Sequence, residues 1–133
     1  MLSKADYATI VPVRNMDRAI KFYTKSLGGK LEMRAPGEMK DMWASIRIGK
    51  ETFWLGPRSP DLKKLDYAFN TFIVDDIKAE IQDLRKRGVR FQRAEKDQMN
   101  TKVDGPIGYS EFGAAAFFND SEGNLLMLWQ NTQ

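Results

Sequence analysis

At 133 residues, 42% hydrophobic and 29% charged, the chain has the size and composition of one soluble globular domain with a real core. It contains neither cysteine nor histidine, which excludes disulfides, thiol nucleophiles, imidazole catalysis and the usual zinc and iron ligands; only an all-oxygen site for Mg²⁺, Ca²⁺ or Mn²⁺ stays open. The net charge of +3 is spread along the chain, no run reaches transmembrane length and the first residues lack a signal-peptide core, so a cytoplasmic protein binding neither nucleic acid nor membrane is expected.

Tyr7–Val13 (Y-A-T-I-V-P-V) reads as a strand. Its Pro12 lacks a ladder donor, which suits an edge or a bulge. Asn15 is a good N-cap, and Met16, Ala19, Ile20, Tyr23 and Leu27 recur at helical spacing until Gly28-Gly29 stops the helix. Lys30–Arg34 is a short strand, Ala35–Asp41 a loop, and Met42–Ile48 and Glu51–Leu55 a hairpin across Gly49-Lys50. Residues 57–66, with prolines and a charged tail, look like a linker.

The pattern then starts again. Tyr67–Val74 is a strand, Asp75 or Asp76 caps a helix carrying Ile77, Ile81 and Leu84 on one face, and Gly88 ends it. The basic cluster Arg85-Lys86-Arg87 complements that helix's C-terminal dipole. Val89–Arg93 reads as a short strand and Ala94–Phe112 as a long polar loop, a candidate mobile lid. The chain closes on a hairpin, Ala114–Phe118 and Leu125–Trp129 around Asp120-Ser121-Glu122-Gly123-Asn124. Both strands of this hairpin are nearly continuous apolar runs, so both of its faces should be covered, by helix, core or ligand.

Strand, helix, short strand, loop and hairpin thus occur twice. Val13–Met16 (V-R-N-M) matches Val74–Ile77 (V-D-D-I). Two copies are too few for a solenoid and suit a pseudo-twofold α+β domain of two βαβββ modules, 7–56 and 67–133.

Three stretches carry a resemblance: Val11–Gly29 (V-P-V-R-N-M-D-R-A-I-K-F-Y-T-K-S-L-G-G), Phe72–Ile77 (F-I-V-D-D-I) and Phe117–Gln130 (F-F-N-D-S-E-G-N-L-L-M-L-W-Q). They are similar, in order, to the opening, middle and closing motifs of the vicinal oxygen chelate superfamily of glyoxalases, extradiol dioxygenases, and fosfomycin and bleomycin resistance proteins. Ser121 stands where proline is usual. The resemblance implies U-shaped mixed sheets enclosing a cleft, helices on the outer faces, and a homodimer.

It also implies a metal held by one residue from each of four strands. These positions fall on Ala8, Trp54, Phe69 and Met127, none of which is a metal ligand, so no metal and no other cofactor is expected. With Ala8 facing the cleft, strand alternation adds Ile10, Thr52, Thr71, Ile73, Leu125 and Trp129, and on neighbouring strands Trp43, Ser45, Arg47 and Phe117. The expected ligand-binding set is Trp43, Arg47, Trp54, Phe69, Thr71, Tyr109, Phe117, Met127 and Trp129. Apolar residues on strands are most often core; the resemblance is what turns these toward a ligand.

Two functions follow. One is a metal-independent binding protein holding a flat, partly apolar small molecule against aromatic side chains, as bleomycin resistance proteins sequester a drug. The alternative is an enzyme of the same superfamily, lyase-, isomerase- or dioxygenase-like. It would use a carboxylate base, Glu51, Glu111 or Asp104, with Tyr109 as acid, or hold a metal on other oxygen ligands.

Overall fold

The computed structural model describes residues 1–61, 68 and 70–132. The chain divides into two compact units, Met1–Leu62 and Lys63–Gln133. The architecture is α+β, with one mixed sheet of four strands and one of five.

The first unit holds β1 (Ile10–Val13), α1 (Met16–Lys21), β2 (Lys30–Arg34), β3 (Ala44–Ile48) and β4 (Glu51–Pro57), in the sheet order β1-β4-β3-β2. β1 runs parallel to β4, and the other pairs are antiparallel. Pro12 sits on an edge strand, where a missing donor costs little. Asn15 caps α1 by accepting the Arg18 amide at 2.9 Å. The helix then passes into a π turn, Phe22–Ser26, and stops at Gly28 with φ 79°. β4 runs to Pro57, two residues beyond the expected strand end and into the expected linker.

The second unit holds β5 (Asn70–Ile73), α2 (Ile77–Lys86), β6 (Lys102–Asp104), β7 (Ile107–Tyr109), β8 (Gly113–Asn119) and β9 (Leu125–Asn131), in the order β5-β9-β8-β7-β6. The repeat is visible in the details. β5 is parallel to β9 as β1 is to β4. Asp76 accepts the Ala79 amide at 3.1 Å, as Asn15 does for Arg18, and Gly88 stops α2 at φ 90°. Each cap contributes about 1 kcal/mol. The Ile77 amide, another orphan donor of the first turn, donates to Gln130 Oε1 at 2.8 Å and ties α2 to β9.

Two expectations are corrected. Val89–Arg93 is not a strand: only Phe91 bridges to Phe118. Ala94–Phe112 is not one long loop. It contains the β6–β7 hairpin, turned by Gly105-Pro106 with Gly105 at φ 59°, and β7 pairs with β8. Phe91 and β7 therefore share the edge of β8 that β9 leaves free, and the hairpin is laddered into the sheet. The rest of the segment is also tied, by Ala94 N–H to the Gly105 carbonyl and by the Met99 and Asn100 amides to Asp97 Oδ1. Residues 62–66 of the expected linker, and Tyr67 and Phe69 of the strand expected after it, lie outside the described residues.

Each helix covers one face of its sheet. Under α1 lie Val11, Val13, Ala44, Ile46 and Leu55, all at most 3% exposed, with Tyr23 edge-on to Phe53. Under α2 lie Ala114, Ala116, Phe118, Leu126 and Leu128. Alanines at 114 and 116 leave room for Ile77, Ile81 and Leu84. No described helix is long and apolar enough to cross a membrane.

Candidate functional site

The faces opposite the two helices hold Trp54, Phe117 and Trp129, aromatic residues that are not spent on core. In the first sheet the register lines up Ile10, Trp54, Ser45 and Met33 in one row, and Thr52, Arg47 and Lys30 in the next. Trp54 is half-buried and meets Trp43 edge to face, centroids 5.4 Å apart at 64°. Ile10 and Met33 are 67% and 57% exposed. These are large apolar surfaces left open beside two indoles.

A polar cluster borders them. The register of β2 shifts between Leu31 and Met33, which leaves Glu32 in a bulge. Its Oε1 accepts the Thr52 hydroxyl at 2.7 Å, and its Oε2 lies 3.8 Å from Arg47 Nη1. Arg47, one of the expected ligand-binding residues, therefore stands beside a carboxylate. Glu32 escaped the sequence reading because a bulge breaks the two-residue alternation by which faces are assigned.

In the second sheet Thr71, Met127 and Phe117 form one row, and Ile73, Trp129, Ala115 and Gly108 the next. Phe117, Met127 and Trp129 are half-buried, while Thr71 is exposed. Trp129 is held from two sides. Its Nε1–H donates to Asn131 Oδ1 at 2.7 Å. Its ring lies over Gly113, where a Cβ would stand 2.6 Å from Cζ2. Any side chain at 113 would lift the indole. Beside this glycine opens a concavity of about 740 Å³, lined by Gln98, Met99, Thr101, Ser110, Glu111 and Phe112.

Of the expected set, the first unit thus brings together Trp43, Trp54 and Arg47, and the second Thr71, Phe117, Met127 and Trp129. Tyr109 is not among them. It pairs with Ala114, in a row on the face opposite Trp129, and Lys102 Nζ stands 5.6 Å from its ring centre. Phe69 lies outside the described residues. Two of the candidate bases, Glu51 and Asp104, are elsewhere too. Glu51 pairs with Ile48 and Asp104 with Ile107, which puts both in rows on the helix side of their sheets. Asp104 also meets Lys78 of α2 at 3.7 Å. Glu111 is exposed in the β7–β8 turn.

A sequence model of the glyoxalase/bleomycin resistance protein/dioxygenase superfamily matches residues 4–128. The chain belongs to this superfamily. Solved structures of the same fold include TnmS3, an antibiotic binding protein from Streptomyces sp. CB03234. It is 23% identical over 97% of this chain and 98% of its own, with a TM-score of 0.71. The fosfomycin resistance protein FosX from Listeria monocytogenes, solved with Mn(II) and sulfate, is 10% identical over 97% and 91%, TM-score 0.69. A glyoxylase/bleomycin resistance protein/dioxygenase domain from Frankia sp. EAN1pec is 18% identical over 98% and 93%, TM-score 0.69. No curated protein sequence matches the chain.

The superfamily's metal finds no fit at the expected positions. Ile10 pairs with Trp54 as Thr71 pairs with Met127, so Trp54 and Met127 are equivalent under the repeat. An indole, a thioether, the methyl of Ala8 and the ring of Phe69 offer no oxygen to a hard cation. Among the described residues no three Asp or Glu side chains gather to hold one.

Proposed function

We propose that this superfamily member is a metal-independent binding protein that sequesters a flat, partly apolar small molecule against the aromatic faces opposite its helices. The observation that carries this reading is Trp129. Its indole is pinned by Asn131 and seated on Gly113, yet its outer surface stays partly open. A rigid, half-open aromatic plane gives a ligand stacking area without an ordering cost. That TnmS3 is an antibiotic binding protein supports a small-molecule ligand of drug size. The placement of Glu51 and Asp104 on the helix side of their sheets favours binding over base catalysis.

The test is a titration of flat aromatic compounds, including drugs bound by resistance proteins, into wild type, Trp54→Ala and Trp129→Ala, followed by tryptophan fluorescence and calorimetry. Wild type should respond. Each variant should lose on the order of 1 kcal/mol or more of binding. A panel that leaves wild type silent, or variants that bind like wild type, would remove the reading.

The same reading includes a cytoplasmic homodimer. Ile10 and Ile73, 67% and 71% exposed on the edge strands β1 and β5, are apolar surface of the kind a second copy covers. Light scattering at micromolar concentration should give twice the 15.3 kDa chain mass; a monomer throughout the range would count against it.

A further inference from the structure

We propose that the open face of the first sheet selects planar aromatic molecules bearing an acidic group, with Trp54 and Trp43 taking the ring and Arg47, supported by Lys30, taking the anion. This rests on the stacking reading above and adds the chemical class of ligand.

The argument is one of charge and spacing. Lys30 pairs directly with Arg47 across β2 and β3, so two cations occupy one row. The carboxylate among them is Glu32, and it is already engaged. Its Oε1 takes the Thr52 hydroxyl, and its Oε2 reaches Arg47 only at 3.8 Å. That distance orients the guanidinium electrostatically but is too long for a hydrogen bond. The planar fork of Arg47, its side chain 49% exposed and without a hydrogen bond among the described residues, thus has donors to offer an incoming oxyanion, the partner its geometry fits bidentately. Two cations against one carboxylate leave the cluster with a net positive charge.

Spacing fits the same class. Thr52, opposite Arg47, lies two residues from Trp54 along β4, about 7 Å of strand. The row of cations is thus the next along the sheet from the row of Trp54, so one molecule carrying both a ring and an acidic group can span the two.

The experiment compares naphthoate with naphthamide, equal in shape and different in charge, by calorimetry on wild type, Arg47→Gln and Glu32→Gln, with melts to show that each variant is folded. Wild type should bind naphthoate about tenfold more tightly than naphthamide, the gain of a charge-assisted over a neutral contact. Arg47→Gln should abolish the preference by weakening naphthoate binding to the level of naphthamide. Glu32→Gln, which removes the opposing charge, should widen the preference, and added salt should narrow it. Equal binding of the two probes by wild type, or a preference that survives in Arg47→Gln, would overturn the assignment and leave the stacking reading in place. Binding of neither probe would overturn both.

Discussion

Phe118→Ala is expected to destabilise the protein by about 3–5 kcal/mol, as truncation of a fully buried aromatic does. Phe118 has no solvent exposure, and its backbone lies between Leu126 on β9 and the bridge to Phe91. Its ring centre is 5.1 Å from that of Phe91, over which the Arg85 guanidinium sits at 5.9 Å. The truncation opens a cavity under α2 and also unseats Phe91, whose bridge is what attaches the segment after α2 to the sheet. The neighbouring Phe117→Ala is the informative control. Phe117 is one residue away, equal in chemistry, half-buried and on the other face. Its loss should cost clearly less, and Trp129→Ala should likewise cost less than a buried tryptophan would. Denaturant melts of the three variants decide this. Equal losses at 117 and 118 would mean that the face opposite α2 is ordinary core, leaving no open aromatic surface for a ligand.

Asp120→Ala is expected to cost about 3 kcal/mol or more, because charge-assisted hydrogen bonds contribute about 1.5–3 kcal/mol each and their buried donors would be orphaned. Asp120 is 6% exposed at the β8–β9 turn. Its Oδ1 accepts the amides of Glu122 and Asn124, and its Oδ2 accepts Asn124 Nδ2, each at 2.8 Å. The carboxylate replaces the ladder bonds that the chain gives up on reversing, while Gly123 supplies the positive φ of 85°. Asp120→Asn keeps an oxygen for the two backbone amides but turns a donor toward Asn124, so its loss should be smaller. Chemical melts check the order wild type, Asn, Ala. An alanine variant within about 0.5 kcal/mol of wild type, the range of an ordinary surface change, would show that the turn does not depend on this carboxylate.

Much of the fold was legible in the chain. Asn15 and Asp76 announced their helices, Gly28 and Gly88 their ends, and Asp120 to Asn124 the closing turn. The β6–β7 hairpin was not recognised, although its signal was present. Asp104-Gly105-Pro106 between Val103 and Ile107 is turn chemistry flanked by β-formers. Strands of three residues are too short to show alternation, and the surrounding polar residues masked them. Val89–Arg93 failed for the opposite reason. Its composition suits a strand, but it meets the β8 edge only at the Phe91–Phe118 bridge, while β7 takes the same edge at Ala114 and Ala115.

The candidate site divides along the same line. Caps, stops, turns and the identity of the aromatic residues depend on chemistry within about four positions of the chain, and these the amino-acid sequence determined by itself. The absence of an oxygen donor at Ala8, Trp54, Phe69 and Met127, where the resemblance would put a metal, is likewise a matter of side-chain type alone. Which face each side chain occupies was decided by cross-strand register, and register is set by partners far away in sequence. Glu32 meets a hydroxyl 20 residues on, and it does so only because a bulge in β2 turns it there. Tyr109 stands in the row of Ala114 and not with Trp129 because β7 joins β8 one residue out of step with that row. A shift of one residue moves a side chain to the other side of a sheet, so the surroundings of Arg47 and the openness of Trp129 could come only from the tertiary structure.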